Sequence, residues 1–445
     1  MNSADLGRRV GVPSTALFTD QYELTMVQAA LKAGTAGRHS VFEAFTRRLP
    51  EGRRYGVVAG TGRVLDAVEN FHFDDEMIGF LRQQNIVDEP TLEWLAGYRF
   101  SGDIWGYPEG EVYFPGSPIL RVEGSFAECV LLETVILSIL NHDSAIAAAA
   151  SRMSAAAGGR RLIEMGARRT HELSAVASAR AAYVGGFDAT SDLAAGFRYG
   201  IPTVGTSAHA FTLLHDTERD AFRAQVDSLG RGTTLLVDTY DVTEAVRAAV
   251  EIAGPELGAV RIDSGDLLLV AHRVRQQLDE LGATGTKIVV TSDLDEYAIA
   301  SLAAAPVDAY GVGTQLVTGS GHPTCSMVYK LVARAGGAAD AGADAPLVPV
   351  AKKSMGAKSS VGGRKWAARR VDEGGVAEAE VIGTGAVPEG LAGRELLVEL
   401  VRGGVVVARE PLEAARERHV SARAGLPMSA MQLSRGEPVI GTEYV

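Results

Sequence analysis

The feature that most constrains the fold is a series of short apolar runs in the second half of the chain, each ending in polar residues or glycines. The runs cover residues 234–241, 259–266, 287–293 and 308–314. A segment with helical spacing follows each of the first three. Strand–helix units repeated at this interval predict a parallel sheet, either a barrel or a doubly wound sheet. In both architectures the active site lies at the carboxyl ends of the strands, which is where the polar residues fall.

Two helices of this series are expected to begin with capping boxes. Asp241 with Glu244, and Ser292 with Asp295, have the spacing in which a side chain caps the first turn.

The remainder of the chain predicts a second domain. A chain of 445 residues exceeds what one ordinary core supports. The first hundred residues mix helical spacing with short alternating strands, and the segment after residue 326 resembles them more than it resembles the strand–helix series. We therefore expect residues 121–325 to form the catalytic barrel. Residues 1–120 and 326–445 are expected to form a discontinuous α/β outer domain.

Composition excludes several classes of protein. The net charge of −12 offers no basic face for nucleic acid. Two cysteines provide neither a disulfide framework nor a zinc set, and they suit the reducing cytoplasm. The first 14 residues lack the apolar core of a signal peptide. The most apolar stretch, residues 130–140, is too short to cross a bilayer, so no membrane is expected and a buried helix is predicted.

The turn from Arg261 to Asp266 contains several kinds of functional group within six residues. It combines a guanidinium, two carboxylates (Asp263 and Asp266), a hydroxyl (Ser264) and a glycine between a strand and a helix. Carboxylates accept hydrogen bonds from ribose hydroxyls or hold Mg²⁺, and glycine allows backbone amides to approach a ligand. The alternative is a helix cap, which explains Ser264 or Asp266 but not Arg261 and Asp263.

Other candidates follow neighbouring strands. His209 comes after the small residues 205–208, and a histidine there can act as a nucleophile, although a lone histidine is more often structural. Arg168 or Arg169 can grip a carboxylate or phosphate, with a solvated helix end as the alternative. The Gly311-Val-Gly-Thr314 segment has the composition of a phosphate cradle, or of a tight turn. Tyr22 can stack on a planar ring, or serve as a core or interface tyrosine.

In this order along the chain, these residues resemble the nicotinate phosphoribosyltransferase family. The resemblance spans roughly residues 17–370 and rests on seven matching segments: 19–26, 42–50, 166–169, 205–209, 261–266, 311–314 and 328–332.

The resemblance implies a reaction and a fold. Nicotinate and phosphoribosyl pyrophosphate would give nicotinate mononucleotide and pyrophosphate, with ATP hydrolysis coupled and Mg²⁺ required. The implied fold is the incomplete (β/α) barrel of the type II phosphoribosyltransferases with an α/β outer domain. The family also implies a homodimer whose active sites are shared between subunits.

The resemblance also assigns roles to residues. His209 matches the histidine that ATP phosphorylates, and with Arg261 and Asp263 it forms the expected catalytic set. The pyridine site is expected at Tyr22, Arg168, Thr206 and Arg261, with Tyr22 supplied by the partner subunit. The phosphoribosyl pyrophosphate site is expected at Ser264, Gly265, Asp266, Gly311, Gly313 and Thr314. The metal ligands are not assigned.

Two departures from the family pattern leave alternatives open. The basic loop 352–365 has Val361-Gly362 where relatives often have Pro-Gly. Asp192 resembles the acid that accepts from the amide in nicotinamide-using cousins. A nicotinamide phosphoribosyltransferase, or a catalytically silent ligand sensor on the same barrel, are therefore the competing hypotheses.

Overall fold

A computed structural model describes residues 13–352, 360–390 and 393–445. The described residues divide into two units. The first contains the residues up to Ser144, Thr324–Ala430 and Arg435–Val445, and the second contains Ala145–Pro323 and Met431–Ser434. The outer unit is therefore discontinuous, and its boundaries fall at residues 144 and 324, where the sequence placed them at 120 and 326.

The N-terminal part of the first unit alternates helices with short strands. Its helices are α1 (Gln21–Lys32), α2 (Thr61–Glu69), α3 (Asp75–Gln83), α4 (Glu89–Ala96) and α5 (Phe126–Val130). Its strands are β1 (His39–Thr46), β2 (Gly56–Val57), β3 (Asp103–Gly106), β4 (Val112–Tyr113) and β5 (Leu120–Ser125).

A long helix, α6 (Glu133–Ala157), leads into the second unit, which follows the predicted strand–helix order. The strands are β6 (Arg161–Glu164), β7 (Ala189–Thr190), β8 (Thr234–Leu236), β9 (Ala259–Ile262), β10 (Lys287–Ser292) and β11 (Ala309–Val312). The helices are α7 (Glu172–Val184), α8 (Leu193–Tyr199), α9 (His209–Leu213), α10 (Glu218–Leu229), α11 (Val242–Ala253), α12 (Leu267–Glu280), α13 (Glu296–Ser301) and α14 (Thr314–Val317).

The chain then returns to the first unit and is mostly extended. The strands are β12 (Met327–Ala335), β13 (Leu347–Pro349), β14 (Lys365–Val371), β15 (Ala377–Thr384), β16 (Arg394–Glu395), β17 (Val398–Arg402), β18 (Val405–Val406) and β19 (Gly441–Tyr444). One helix, α15 (Leu412–Ala424), and a short 3-10 helix (Met428–Met431) complete the described elements.

Buried ion pairs connect the sheets of the first unit. A seven-stranded sheet has the order β13-β12-β1-β5-β3-β17-β18, and a four-stranded sheet has the order β16-β14-β15-β19. Lys365 of β14 pairs with Glu43 of β1 at 2.9 Å, and both side chains are almost fully buried. The Tyr107 hydroxyl donates to Glu380 of β15 at 2.6 Å. The Lys365–Glu43 pair favours one packing of the two sheets, because either charge alone would be costly to bury, and the Tyr107 hydrogen bond adds a second polar contact.

The second unit is built on a parallel sheet with the order β7-β6-β11-β10-β9-β8. Because β11 pairs with β6, the order follows the chain around a ring that is interrupted only between β7 and β8. This is the incomplete barrel expected from the sequence. The segment between β7 and β8 carries Thr206 and His209, so both lie in the interruption of the barrel.

Carboxylates cap several barrel helices. Asp241 accepts a hydrogen bond from the Glu244 amide at 2.9 Å, as its spacing predicted. The second predicted cap is wrong, because α13 begins after Asp295, whose carboxylate accepts from the amides of Tyr297 and Ala298. Ser292 instead ends β10.

The helix predicted at residues 130–140 is longer than the sequence suggested. The predicted apolar stretch contains Glu133 and ends before His142 and Asp143, but α6 begins at Glu133 and continues through both residues to Ala157. Arg63 donates to the buried Asp143 at 2.7 Å, which compensates the carboxylate within the helix. The run Phe126–Ala157 is thus long and apolar enough to cross a membrane by length and composition, which corrects the sequence argument. Of its most apolar 18-residue window, 67% is buried inside the protein, as in a core helix.

Candidate active site

Two cavities in the second unit contain most of the predicted site residues. The larger, of about 770 Å³, is lined by Gly205 and Thr206 from the barrel interruption and by residues of β6, β9 and β10. The smaller, of about 240 Å³, lies at the carboxyl ends of β6, β9, β10 and β11. Only Met165 and Arg261 line both cavities. These two side chains therefore lie at the boundary between the larger cavity and the smaller cavity.

Arg261 has one hydrogen-bonded donor and one buried donor without a partner among the described residues. Its Nη1 donates to the Thr206 hydroxyl at 3.0 Å. Its Nε is buried and has no hydrogen-bond partner among the described residues. Burial lowers the pKa of the guanidinium, whereas Asp263 and Asp238 raise it and Arg168 lowers it further. A buried guanidinium with an unused donor can bind a carboxylate strongly, because the charged bond forms away from water.

The smaller cavity has the composition of a phosphate site. Its lining places three arginines opposite two carboxylates and a glycine segment: Arg168, Arg169, Arg261, Asp263, Asp293, Gly311, Gly313 and Thr314. Arginines bind phosphate oxygens in pairs of hydrogen bonds, and glycines leave backbone amides accessible. The structure thus brings together the predicted Arg168, Asp263 and the 311–314 segment.

His209 contacts a buried carboxylate that the sequence did not single out. Its Nδ1 lies 3.1 Å from the Thr239 hydroxyl oxygen. Its Nε2 lies 4.0 Å from Oδ1 of Asp238, whose side chain is 1% exposed, while the imidazole is 42% exposed. The ring is therefore held by one hydrogen bond from inside the protein and is partly accessible to solvent.

Asp238 also connects His209 to the 261–266 turn. Its Oδ2 accepts from the Asp263 amide at 2.9 Å and from the Ser264 hydroxyl at 2.7 Å. Asp263 in turn accepts from the Thr291 hydroxyl of β10. Asp263 and Ser264 therefore share a hydrogen-bonded network with Asp238, and His209 lies beside that network without a hydrogen bond to Asp238.

The remainder of the predicted turn has structural contacts. Asp266 caps α12 by accepting from the Leu269 amide at 3.1 Å, which is the capping alternative. Gly265 has a φ of +85°, a conformation that favours glycine. Neither residue lines the two cavities, and Ser264 faces Asp238. Their roles in ligand binding stay predictions.

Glu164 supports the loop that carries Arg168. Its carboxylate accepts from the Gly166 amide and from the Thr190 hydroxyl. Burial raises the pKa of Glu164. This carboxylate therefore fixes the start of the loop and does not face a ligand.

Two further predicted residues lie elsewhere. Tyr22 belongs to the first unit, near the start of α1, and is 46% exposed. Burial, followed by the charges of Glu133 and Glu23, raises the pKa of Tyr22 to about 12, so the ring is neutral. Asp192 caps α8 through the amides of Ala194 and Ala195 and does not line either cavity. Part of the basic loop, residues 353–359, lies outside the described residues.

Glu218, at the start of α10, is a titrating group that sequence reasoning missed. Its Oε1 is buried with no hydrogen-bond partner in the described part of the chain. Burial, followed by the charges of Asp241 and Asp238, raises the pKa of Glu218 to about 7. The sequence around Glu218 gives no sign of this shift, because the charges that cause it, Asp241 and Asp238, follow β8.

We expect Glu218→Gln to change the pH dependence of stability. Because the folded state raises the pKa of Glu218, it binds this proton more tightly than the unfolded chain does. The glutamate therefore favours folding most below about pH 4.5, and that contribution is lost as the pH rises to about 7. Tm measured at pH 8 should be higher for the variant than for the wild type, with a smaller difference at pH 5. Glu256→Gln, at an exposed site, is the control, and equal shifts for both variants would contradict the argument.

Comparisons with known proteins identify the family. The nicotinate phosphoribosyltransferase N-terminal domain model matches residues 17–141. A nicotinate phosphoribosyltransferase of Mycobacterium tuberculosis is 55% identical over 452 residues, covering 98% of each chain. One from Bacillus subtilis is 39% identical over 330 residues, covering 72% of this chain and 67% of its own.

Solved structures show the same architecture. The crystal structure of human nicotinic acid phosphoribosyltransferase matches with a TM-score of 0.81 and 25% identity, covering 96% of this chain and 97% of the human chain. The likeness extends over both units, and the sequence identities cover nearly the whole chain. The family suggested by the motifs is confirmed: this chain belongs to the nicotinate phosphoribosyltransferase family.

Proposed function

We propose that this chain catalyses the transfer of a phosphoribosyl group from phosphoribosyl pyrophosphate to nicotinate, with ATP hydrolysis coupled through a phosphohistidine, in NAD salvage. The observation that carries the proposal is the position of Arg261. It lines both the larger cavity and the arginine-rich smaller cavity, so an anionic pyridine bound to it would lie next to the phosphoribosyl site.

The transfer requires little from a general base. The lone pair of the pyridine nitrogen attacks the anomeric carbon, the bond from that carbon to oxygen breaks, and its electrons leave with pyrophosphate. Arg168 and Arg169 stabilise the negative charge on the leaving group. Asp263 stabilises the positive charge that develops on the ribose. Arg261 and Thr206 hold the nicotinate carboxylate, with Tyr22 of the partner subunit stacking on the ring.

The smaller cavity fits a magnesium ion held mainly by substrate. Among the described residues no group of three or more His, Cys, Asp or Glu side chains is arranged to hold a metal. Asp263 and Asp293 both line the cavity. Mg²⁺ is commonly bound by one or two carboxylates together with substrate phosphates, so these two would hold it. The ion would supply positive charge at the diphosphate.

ATP coupling is assigned to His209. An imidazole nitrogen attacks the γ-phosphorus of ATP, the bond from that phosphorus to the bridging oxygen breaks, and ADP leaves. Water later cleaves the phosphohistidine to release phosphate. Two contacts support the proposal: Thr239 holds the ring at 3.1 Å, and the Asp238 carboxylate, 4.0 Å from Nε2, also bonds the Asp263 amide and Ser264. A phosphoryl group on His209 would therefore place negative charge beside the carboxylate that holds the turn at the phosphoribosyl cavity.

We also propose a cytoplasmic homodimer with shared active sites. Helices α8 and α9 flank the barrel interruption and expose Leu193, Phe197, Leu213 and Leu214, with Phe197 83% exposed. Large apolar side chains exposed beside a site are typical of an interface. Both cysteines, Cys129 and Cys325, are free and buried, which suits a reducing compartment.

The test is incubation with nicotinate, phosphoribosyl pyrophosphate, ATP and Mg²⁺, assayed for the mononucleotide, pyrophosphate and ADP. We expect all three products and a strong preference for nicotinate over nicotinamide at equal concentration. Preference for nicotinamide would reject the substrate assignment. Binding of phosphoribosyl pyrophosphate with no product from either pyridine would instead identify a ligand sensor.

A further inference from the structure

The larger cavity extends through the whole length of the barrel. At the amino end of the sheet it is lined by the first residues of five strands: Arg161, Thr234, Ala259, Lys287 and Ala309. At the carboxyl end it is lined by Met165, Thr206 and Arg261. One continuous space therefore joins the proposed pyridine site to the opposite end of the barrel.

The channel is open because the inward side chains are small. Inward residues alternate along each strand, as Arg161, Ile163 and Met165 do on β6. Near the axis, Ala259, Ala309 and Gly311 replace the branched residues that normally fill a barrel interior. Val289, in the middle of β10, is only partly buried. Solvent thus reaches the interior at mid-strand.

The volume exceeds what a single pyridine ring needs. Pockets of about 300–1,000 Å³ typically enclose drug-sized ligands, and this cavity of about 770 Å³ falls in that range. A pyridine carboxylate bound to Arg261 would occupy only the carboxyl end. The amino half of the channel would therefore stay open to solvent behind the bound ring.

The opening at the amino end, which we call the rear mouth, consists of Arg161, Lys287, Asp308 and residues 232–234. Arg161 and Lys287 are exposed, and the Lys287 side chain is 65% accessible. Lys287 pairs with Asp308 at 3.1 Å. Arg161 has no carboxylate partner in the part of the chain that the structure describes. The charged residues that line the rear mouth therefore leave one uncompensated positive charge, that of Arg161, in a protein whose net charge is −12.

We propose that the rear mouth is a separate access route for nicotinate, so that this anion reaches Arg261 from the amino end of the barrel while phosphoribosyl pyrophosphate and ATP use the carboxyl end. The inference rests on the proposed function, because it concerns the substrate assigned there. A positive opening with low-dielectric walls concentrates small anions and raises their association rate. Nicotinate can then bind and dissociate while the phosphoribosyl cavity is occupied.

Two substitutions test the route by different means. Arg161→Glu reverses the charge at the rear mouth, and Thr234→Phe narrows the mouth, because Thr234 pairs with Ala259 two residues before Arg261. We expect each to raise KM for nicotinate about 3- to 5-fold, with kcat and KM for phosphoribosyl pyrophosphate unchanged, since neither residue lines the smaller cavity. The Arg161→Glu effect should shrink between about 0.02 M and about 0.3 M salt, whereas the Thr234→Phe effect should not.

Arg273→Glu is the matched control. Arg273 is exposed on α12 and does not line the cavity. The same charge reversal there should leave KM for nicotinate within error of the wild type. An equal change in the control would show that net charge alone is responsible and would overturn the proposal.

The outcomes separate this proposal from the proposed function. If the wild type forms nicotinate mononucleotide but both channel variants, folded by circular dichroism, keep the wild-type KM for nicotinate, the rear route is wrong and the function stands. If the wild type forms no mononucleotide, the proposed function fails. Where turnover is low, the association rate of nicotinate is measured directly on each folded variant. An unchanged association rate would again reject the route.

Discussion

His209→Ala is expected to abolish incorporation of label from γ-labelled ATP and to remove the ATPase activity stimulated by the other substrates. The imidazole is the only group in our proposal that receives the phosphoryl group, so no other side chain can replace it. Mononucleotide formation should persist at a lower, ATP-independent rate, because the variant keeps Arg261, Asp263 and the smaller cavity. The measurement compares labelled protein, ADP and mononucleotide in parallel.

Two controls accompany this experiment. His272→Ala makes the same substitution at an exposed position on α12 and should keep full labelling. Asp238→Asn retains the His209 imidazole but removes the negative charge 4.0 Å from Nε2, so labelling should slow without disappearing. Label that is retained in His209→Ala, together with ATP-stimulated turnover, would show that the phosphoryl acceptor is another residue.

The barrel could be predicted from the sequence because its signal is local. Short β-branched runs that end in Asp, Ser, Thr or Gly predict the strands of the sheet. The same runs predict the polar residues at the carboxyl ends of those strands. Those runs are β8 to β11, and their ends supply Asp263 and the 311–314 segment to one cavity. The order of strands around a ring follows from the right-handed, sequential character of such units.

The residues that sequence reasoning missed depend on long-range proximity. Asp238 lies inside one of the predicted runs, but its contact with His209 joins two strand ends across the interruption of the barrel. Met165 lines both cavities and is apolar, so nothing in the sequence distinguishes it from a core residue. Glu218 titrates unusually only because Asp241 and Asp238 approach it.

Polar residues in apolar segments misled the sequence analysis in the other direction. Asp143 suggested the end of a helix, yet Arg63 neutralises it and α6 continues. Lys365 and Glu43, about which the sequence analysis made no prediction, form an ion pair in the core. Burial of a charge depends on a partner that is distant in sequence, so no local pattern reveals it.

Arg261→Ala is expected to lower kcat/KM for nicotinate by about 10- to 100-fold. A charged hydrogen bond contributes about 1.5–3 kcal/mol, and each 1.4 kcal/mol corresponds to a tenfold change. The Thr206 hydroxyl also loses its donor, so the second contact to the nicotinate carboxylate is misplaced. Burial lowers the pKa of Arg261, and the partly desolvated charge cannot be replaced by water without loss of affinity.

The ratio of nicotinate to nicotinamide turnover separates carboxylate recognition from a general disturbance. Arg261→Ala should lose most of the preference for the anion, because nicotinamide has no carboxylate to lose. Arg261→Lys keeps the charge but not the planar pair of donors, so its kcat/KM should fall between those of Arg261→Ala and the wild type. Arg247→Ala, an exposed arginine paired with Glu244 on α11, is the control. If Arg261→Ala reduced turnover of both pyridines equally, Arg261 would act on the phosphoribosyl group rather than on nicotinate. Its position between the two cavities would then indicate a role in the smaller cavity.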